Sequence, residues 1–147
     1  CVILSRDLIN NFSSERHSME RVVFPNVAES GGMAGLVFSG YFADAGTPNS
    51  YIEAAQTCID NDRFNSGKKI NNSWYGEGFS NTSSSSRCSI GDNVSIHETA
   101  SLSDCVVLKD AIIGKNVKLE RCLIGEGSII SDKTVLSDTI INHHTTF

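Results

Sequence analysis

From Cys88 onward, large aliphatic residues recur at intervals of six, six and five: Ile90, Ile96, Leu102; Val107, Ile113, Leu119; Ile124, Ile130, Leu136; then Ile141. The residue two places before each is small or β-branched: Cys88, Val94, Ala100, Cys105, Ala111, Val117, Cys122, Ser128, Thr134 and Thr139. A helix would show a period near 3.6, and a half-exposed strand would alternate without interruption. Neither pattern is present. A small residue two before an aliphatic predicts one short strand per hexad, with alternate side chains pointing inward. The whole motif steps by 17 residues, so rows can stack. The motif completes three such steps and begins a fourth. Gly91, Gly114 and Gly125 each follow an aliphatic, where the chain must turn and positive φ is useful.

The first half has a different texture. Cys1–Leu4 and Leu36–Asp44 read as strands, and Ser18–Phe24 as a short helix stopped by Pro25. Thr47-Pro48 marks a helix start, threonine as N-cap and proline in the first turn. Tyr51, Ala54, Ala55 and Cys58 then share one face of that helix. Residues 61–87 are a connector, rich in Gly, Asn and Ser from residue 65. Trp74, Tyr75 and Phe79 lie inside it, either as a ligand-stacking cluster or as pins holding a loop to the surface.

The 17-residue pattern resembles the hexapeptide repeat of left-handed parallel β-helices, in which three faces form each coil. That implies a β-helix over 88–147, of three coils and the start of a fourth, about 15 Å tall at strand spacing. It also explains three of the five cysteines. Cys88, Cys105 and Cys122 fill one inward column with Thr139 next above, so packing is favoured over a metal or redox ladder. No Cys-x-x-Cys pair accompanies them.

The chain has 147 residues, 39% hydrophobic and 20% charged, with a formal net charge of −5. That is one domain, or one and a fragment, with enough apolar residues for a core. An acidic balance without a basic cluster argues against nucleic acid as the main partner. No run approaches the length of a membrane-spanning helix. Without a recognisable leader, a reducing cytoplasmic compartment is the expectation, and the Asn-x-Ser/Thr sequons at Asn11, Asn71 and Asn81 are then incidental. A chain opening at Cys1 inside an apolar stretch is expected to be a piece of a longer protein.

Two strings carry chemistry: Ser18-Met19-Glu20-Arg21-Val22-Val23-Phe24-Pro25, and Gly40-Tyr41-Phe42-Ala43-Asp44-Ala45-Gly46-Thr47-Pro48 followed by Ser50-Tyr51. They resemble the closing motifs of sugar-1-phosphate nucleotidyltransferases, a family that often carries a C-terminal left-handed β-helix. Phe42 stands where that family usually has Trp, and Ala45 where it has Val or Ile. The resemblance implies that residues 1–60 are the C-terminal edge of a Rossmann-like α/β catalytic domain. The reaction would join a nucleoside triphosphate to a sugar-1-phosphate with release of pyrophosphate. Asp44 would hold Mg²⁺, and Glu20, Gly46 and Thr47 would border the substrate. The ion suits one or two carboxylates plus phosphate oxygens. Two plainer readings stay open: Asp44 as a turn-capping carboxylate before Gly46, and Glu20 as a solvated helix-face residue.

The resemblance also shows what this sequence lacks: the family's Gly-rich nucleotide loop, its partner metal-binding aspartate and its Glu-Lys-Pro sugar string. No catalytic residue is therefore assigned within the chain, which is expected to be inactive alone. The subgroup with the closest first string uses mannose-1-phosphate and GTP. The β-helix would serve homo-oligomer assembly or regulation. Two alternatives are a hexapeptide acyltransferase, which would need a catalytic histidine such as His97, and a non-catalytic regulatory or scaffold paralogue.

Overall fold

The computed structural model describes residues 2–12, 16, 18–80 and 84–147. It forms two units, Cys1–Tyr41 and Phe42–Phe147. In the first, Ser5 caps helix α1 (Arg6–Asn10) by accepting the Leu8 N–H at 3.2 Å. Ser18 likewise accepts the Arg21 N–H at 3.2 Å and starts a π-helical turn, Met19–Val23. The helical path runs on as α2 (Phe24–Glu29), with Pro25 in its first turn. The expected stop at Pro25 is therefore corrected: proline is tolerated there because the first-turn N–H groups have no intrahelical acceptor to lose.

No strand forms between residue 2 and residue 60 among the described residues. Val2–Leu4 and the stretch from Leu36 to Asp44 form no strand, and Cys1 lies outside the described residues. Leu36, Val37 and Phe38 are exposed. Strand-like sequence needs a neighbouring strand to supply its hydrogen bonds, and none is present among the described residues. The expected α/β remnant over 1–60 accordingly does not show.

The second unit is a three-faced parallel β-solenoid with one helix, α3 (Pro48–Asp60), seated against it. The first face runs in the order β1 (Lys68–Ile70), β2 (Ser73–Tyr75), β4 (Ser89–Ile90), β7 (Val106–Val107), β10 (Leu123–Ile124) and β13 (Ile140–Ile141). The second holds β5 (Ser95–Ile96), β8 (Ile112–Ile113) and β11 (Ile129–Ile130). The third holds β3 (Ser84–Ser86), β6 (Ser101–Ser103), β9 (Lys118–Glu120) and β12 (Val135–Ser137). All pairings are parallel except β1 with β2.

Register follows the 17-residue step: Ser89, Val106, Leu123 and Ile140 lie side by side, and so do Leu102, Leu119 and Leu136. The inward columns are those of the repeat, and every residue in them is buried except Thr134, Leu136 and Thr139 on the upper rows. The outward neighbours Ile112, Ile129 and Ile140 are exposed.

There is one more coil than the sequence pattern predicts. β2, a bridge from Ser80 to Ser95 and β3 make a first coil beneath that of β4, β5 and β6, giving about four, with β13 opening another. Trp74 pairs with Ser89 and Ser80 with Ser95, both steps of 15 rather than 17 residues. Much of the stretch expected to be a connector, 61–87, is thus solenoid. Tyr75 extends the column of Ile90, Val107, Ile124 and Ile141, and its hydroxyl meets Ser85 Oγ. Ser73 extends the column of cysteines, its Oγ accepting the Cys88 N–H at 3.1 Å.

The turns are made differently from the expectation. Positive φ falls on Arg87, Asp104, Arg121 and Asp138 at one corner, and on Asn93, Asp110, Gly127 and His144 at another. Gly91, Gly114 and Gly125 do not adopt it. They are glycine because the next coil passes too close. A Cβ on Gly125 would stand 2.5 Å from the Asn142 carbonyl carbon and from the His143 nitrogen.

Candidate functional site

The residues singled out from the sequence fall in both units. Glu20 is exposed in the first turn after Ser18, in the first unit. Asp44, Gly46 and Thr47 are brought together at the head of α3, in the second unit. Asp44 Oδ1 accepts the Gly46 N–H at 3.1 Å and closes a turn. Thr47 Oγ1 accepts the Ser50 N–H at 3.2 Å, and Ser50 Oγ accepts the Thr47 N–H at 2.9 Å. This is a capping box with serine in the usual Glu/Gln place, and Pro48 follows the cap. The turn-capping role of Asp44 is thus realised. The described residues hold no group of three or more His, Cys, Asp or Glu side chains able to share a metal ion. The Asp44 carboxylate is exposed.

Beyond its cap, α3 lies along the first face. Ile52 and Ile59 are buried. The face carrying Tyr51, Ala54, Ala55 and Cys58 looks onto Trp74, Val106 and Lys109 across an open groove of about 610 Å³. Small side chains on the helix leave this space unfilled. Trp74 stacks on Phe64, centroids 4.4 Å apart, and its Nε1–H donates to the Ser66 carbonyl at 2.8 Å. Trp74 therefore pins the loop 64–66, while Tyr75 and Phe79 pack against each other at the base of the solenoid.

The C-terminal half of α3 is held by polar contacts. Gln56 Nε2 donates to Asp104 Oδ1 at 2.9 Å, and an Arg87 terminal nitrogen donates to Gln56 Oε1 at 3.4 Å. The same nitrogen lies 3.6 Å from Asp60 Oδ2, and Arg87 Nε lies 3.6 Å from Asp104 Oδ1. Lys69 Nζ donates to the Ile59 carbonyl at 2.8 Å, a cation on the negative end of the helix. These partners were not recognised from sequence, although one signal existed. Arg87, Asp104, Arg121 and Asp138 alternate in sign at 17-residue steps, so stacked coils set opposite charges side by side, as Arg121 and Asp138 also show.

Two histidines serve the turns. His97 Nδ1 accepts the Thr99 N–H at 3.1 Å, and His143 Nδ1 accepts the Glu126 N–H at 3.0 Å. Asp132 does the same for Lys115, at 2.7 Å, one coil below. The cysteine column behaves as packing. Each Sγ–H points to the carbonyl two residues back, Cys105 to Ser103 at 3.1 Å for example. For Cys105 the Cys122 thiol favours ionisation, but the Cys88 thiol and burial outweigh it and push the group up to about 12. Cys122 is raised by the Cys105 thiol and then by burial. These two thiols stay protonated, unlike reactive or metal-binding ones, whereas hydrogen bonding with Cys105 holds the buried Cys88 below its ordinary value.

Comparison with known proteins agrees with the solenoid. Residues 53–143 match the family model described as GlmU-like, C-terminal hexapeptide. No curated protein matches the sequence.

Proposed function

The chain belongs to the GlmU-like C-terminal hexapeptide family, and on that premise we propose that it is the C-terminal region of a sugar-1-phosphate nucleotidyltransferase. One observation carries the reading. The Asp-Ala-Gly-Thr-Pro string folds into a tight turn and capping box at the head of a helix that is seated on the β-helix. A string resembling the closing motif of a catalytic domain is thereby coupled to the hexapeptide repeat. The alternative is a hexapeptide acyltransferase, which the family match also accommodates; it would need a catalytic histidine, and Nδ1 of His97 and of His143 is engaged as a turn cap.

In the proposed reaction an oxygen of the sugar phosphate attacks the α-phosphorus of the nucleotide in line, and the α–β bridging bond breaks to release pyrophosphate. Catalysis of this kind is mainly positioning and charge neutralisation. Asp44 would contribute one carboxylate to Mg²⁺, Gly46 and Thr47 would shape the adjoining wall, and Glu20 would approach the sugar. Mannose-1-phosphate and GTP are the proposed substrates, and the cytoplasm the proposed compartment. The β-helix, left-handed in this proposal, would mediate homo-oligomer assembly or regulation. The test is pyrophosphate release by the full-length protein across a grid of nucleoside triphosphates and sugar-1-phosphates. Turnover with one pair, lost in Asp44→Asn, supports the reading. No turnover with any pair overturns it in favour of a non-catalytic paralogue.

A further inference from the structure

We propose that Arg87, Asp104 and Gln56 form a positioning latch through which the β-helix fixes α3, and with it the Asp44–Thr47 turn. The latch spans 48 residues of sequence, from Gln56 on the helix to Asp104 on the corner of the coils. Its polar contacts are lopsided. The C-terminal half of α3 carries the buried Ile59, the Gln56–Asp104 bond, the Arg87 contacts to Gln56 and Asp60, and the Lys69 bond to its last turn. The N-terminal half is seated by the buried Ile52 alone, and its Tyr51, 41% exposed, borders the open groove.

A helix whose long-range polar contacts gather at one end is oriented chiefly from that end. Its other end carries Asp44, Gly46 and Thr47. Arg87 and Asp104 both sit at corner positions with φ of 52°, so their side chains leave from backbone fixed by the coil ladder. Two groups anchored in stacked coils, each bonded to Gln56, define the helix orientation better than apolar contact alone, because hydrogen bonds are directional. These are positioning residues. None is placed at the reacting atoms, and the effect on turnover rests on the nucleotidyltransferase reading above.

Gln56→Ala isolates the latch, since alanine keeps the helix and the corners are untouched. In the full chain, amide exchange of residues 50–58 and of Gly46 should quicken about tenfold, the change expected on losing a charge-assisted hydrogen bond. Exchange of β7 to β12 should stay unchanged. The double variant Gln56→Glu/Asp104→Asn exchanges donor and acceptor, keeps the Arg87 contact, suits asparagine at positive φ, and should restore protection. Unchanged exchange in Gln56→Ala, or quickening shared by the whole solenoid, overturns the latch. In the full-length enzyme, Gln56→Ala should raise KM for the sugar phosphate several-fold with kcat little changed. If the wild type shows no turnover, the nucleotidyltransferase reading fails while the exchange experiment still decides the latch. If the wild type turns over and KM is unmoved in Gln56→Ala, the proposed link to the Asp44 turn fails.

Discussion

Gly91 and Lys109 meet on adjacent coils so closely that a Cβ at Gly91 would stand 2.7 Å from the Lys109 backbone nitrogen. Its φ is not positive, so the glycine serves approach rather than turning. Gly91 N–H donates to the Val107 carbonyl at 2.8 Å, and a methyl group there would wedge that pairing apart. Gly91→Ala should lower stability by about 1–3 kcal/mol, as overpacking does. A urea unfolding midpoint equal to that of the wild type would refute the close approach.

Ile112 and Ile113 are neighbours in sequence with opposite fates. Ile112 is 47% exposed and Ile113 is 1% exposed. Ile113→Ala should cost about 2–5 kcal/mol through lost burial and the cavity left behind. Ile112→Ala should cost well under that, about 1 kcal/mol or less. Denaturant melts of the two variants decide the register, and a reversed order would mean that the strand is turned over.

Thr47 is the N-cap of α3, and its hydroxyl accepts the Ser50 N–H. Thr47→Ala should weaken the helix by about 1 kcal/mol, whereas Thr47→Ser should keep the cap. Exchange of the first-turn amides is the measurement. Equal exchange in both variants would show that Pro48 and the seat on the solenoid hold the helix start without the cap.

Cys105 and Cys122, raised where their neighbour Cys88 is lowered, make stability depend on alkaline pH. Cys105 is pushed up to about 12 from an ordinary value of 9.0, so between those values the unfolded chain loses a proton that the folded one keeps. The contribution is complete below pH 9.0 and is lost as pH rises toward about 12. The slope is at most about 1.4 kcal/mol per pH unit for each such thiol. Unfolding midpoints between pH 8 and 11 should fall, less steeply in Cys105→Ala. In native protein at pH 8, Cys58, which is half-buried, should react with a thiol reagent while Cys88, Cys105 and Cys122 do not. Rapid native labelling of the column would contradict its burial.

The coils were legible wherever chemistry repeated in register. From Ile90 to Ile141 the spacing names each inward residue, because stacking at one fixed rise requires the same kind of side chain in the same column. The first coil was not legible. Tyr75 and Ser85 stand where the later coils have aliphatics, and on two of its faces the step is 15 residues instead of 17. The glycines were found but misread, since a missing Cβ serves a close neighbour as readily as a left-handed turn. Of the candidate site, the cap at Thr47 and the Asp44 turn followed from local rules. The grouping of Gln56, Arg87 and Asp104 did not, because it depends on where a helix lies against a surface built from distant residues.

By itself, then, the sequence determined the inward columns, the period and the start of α3, all consequences of short-range sterics and of burial repeated along the chain. Only the tertiary structure decided the extra coil beneath Ile90, the lack of strands at Val2–Leu4 and Leu36–Asp44, and the seat of α3. Each of those depends on a partner surface. A strand needs a neighbour to accept its hydrogen bonds, and a helix face needs something to cover it, so local pattern fixes what a segment can do and packing fixes which of those options it takes.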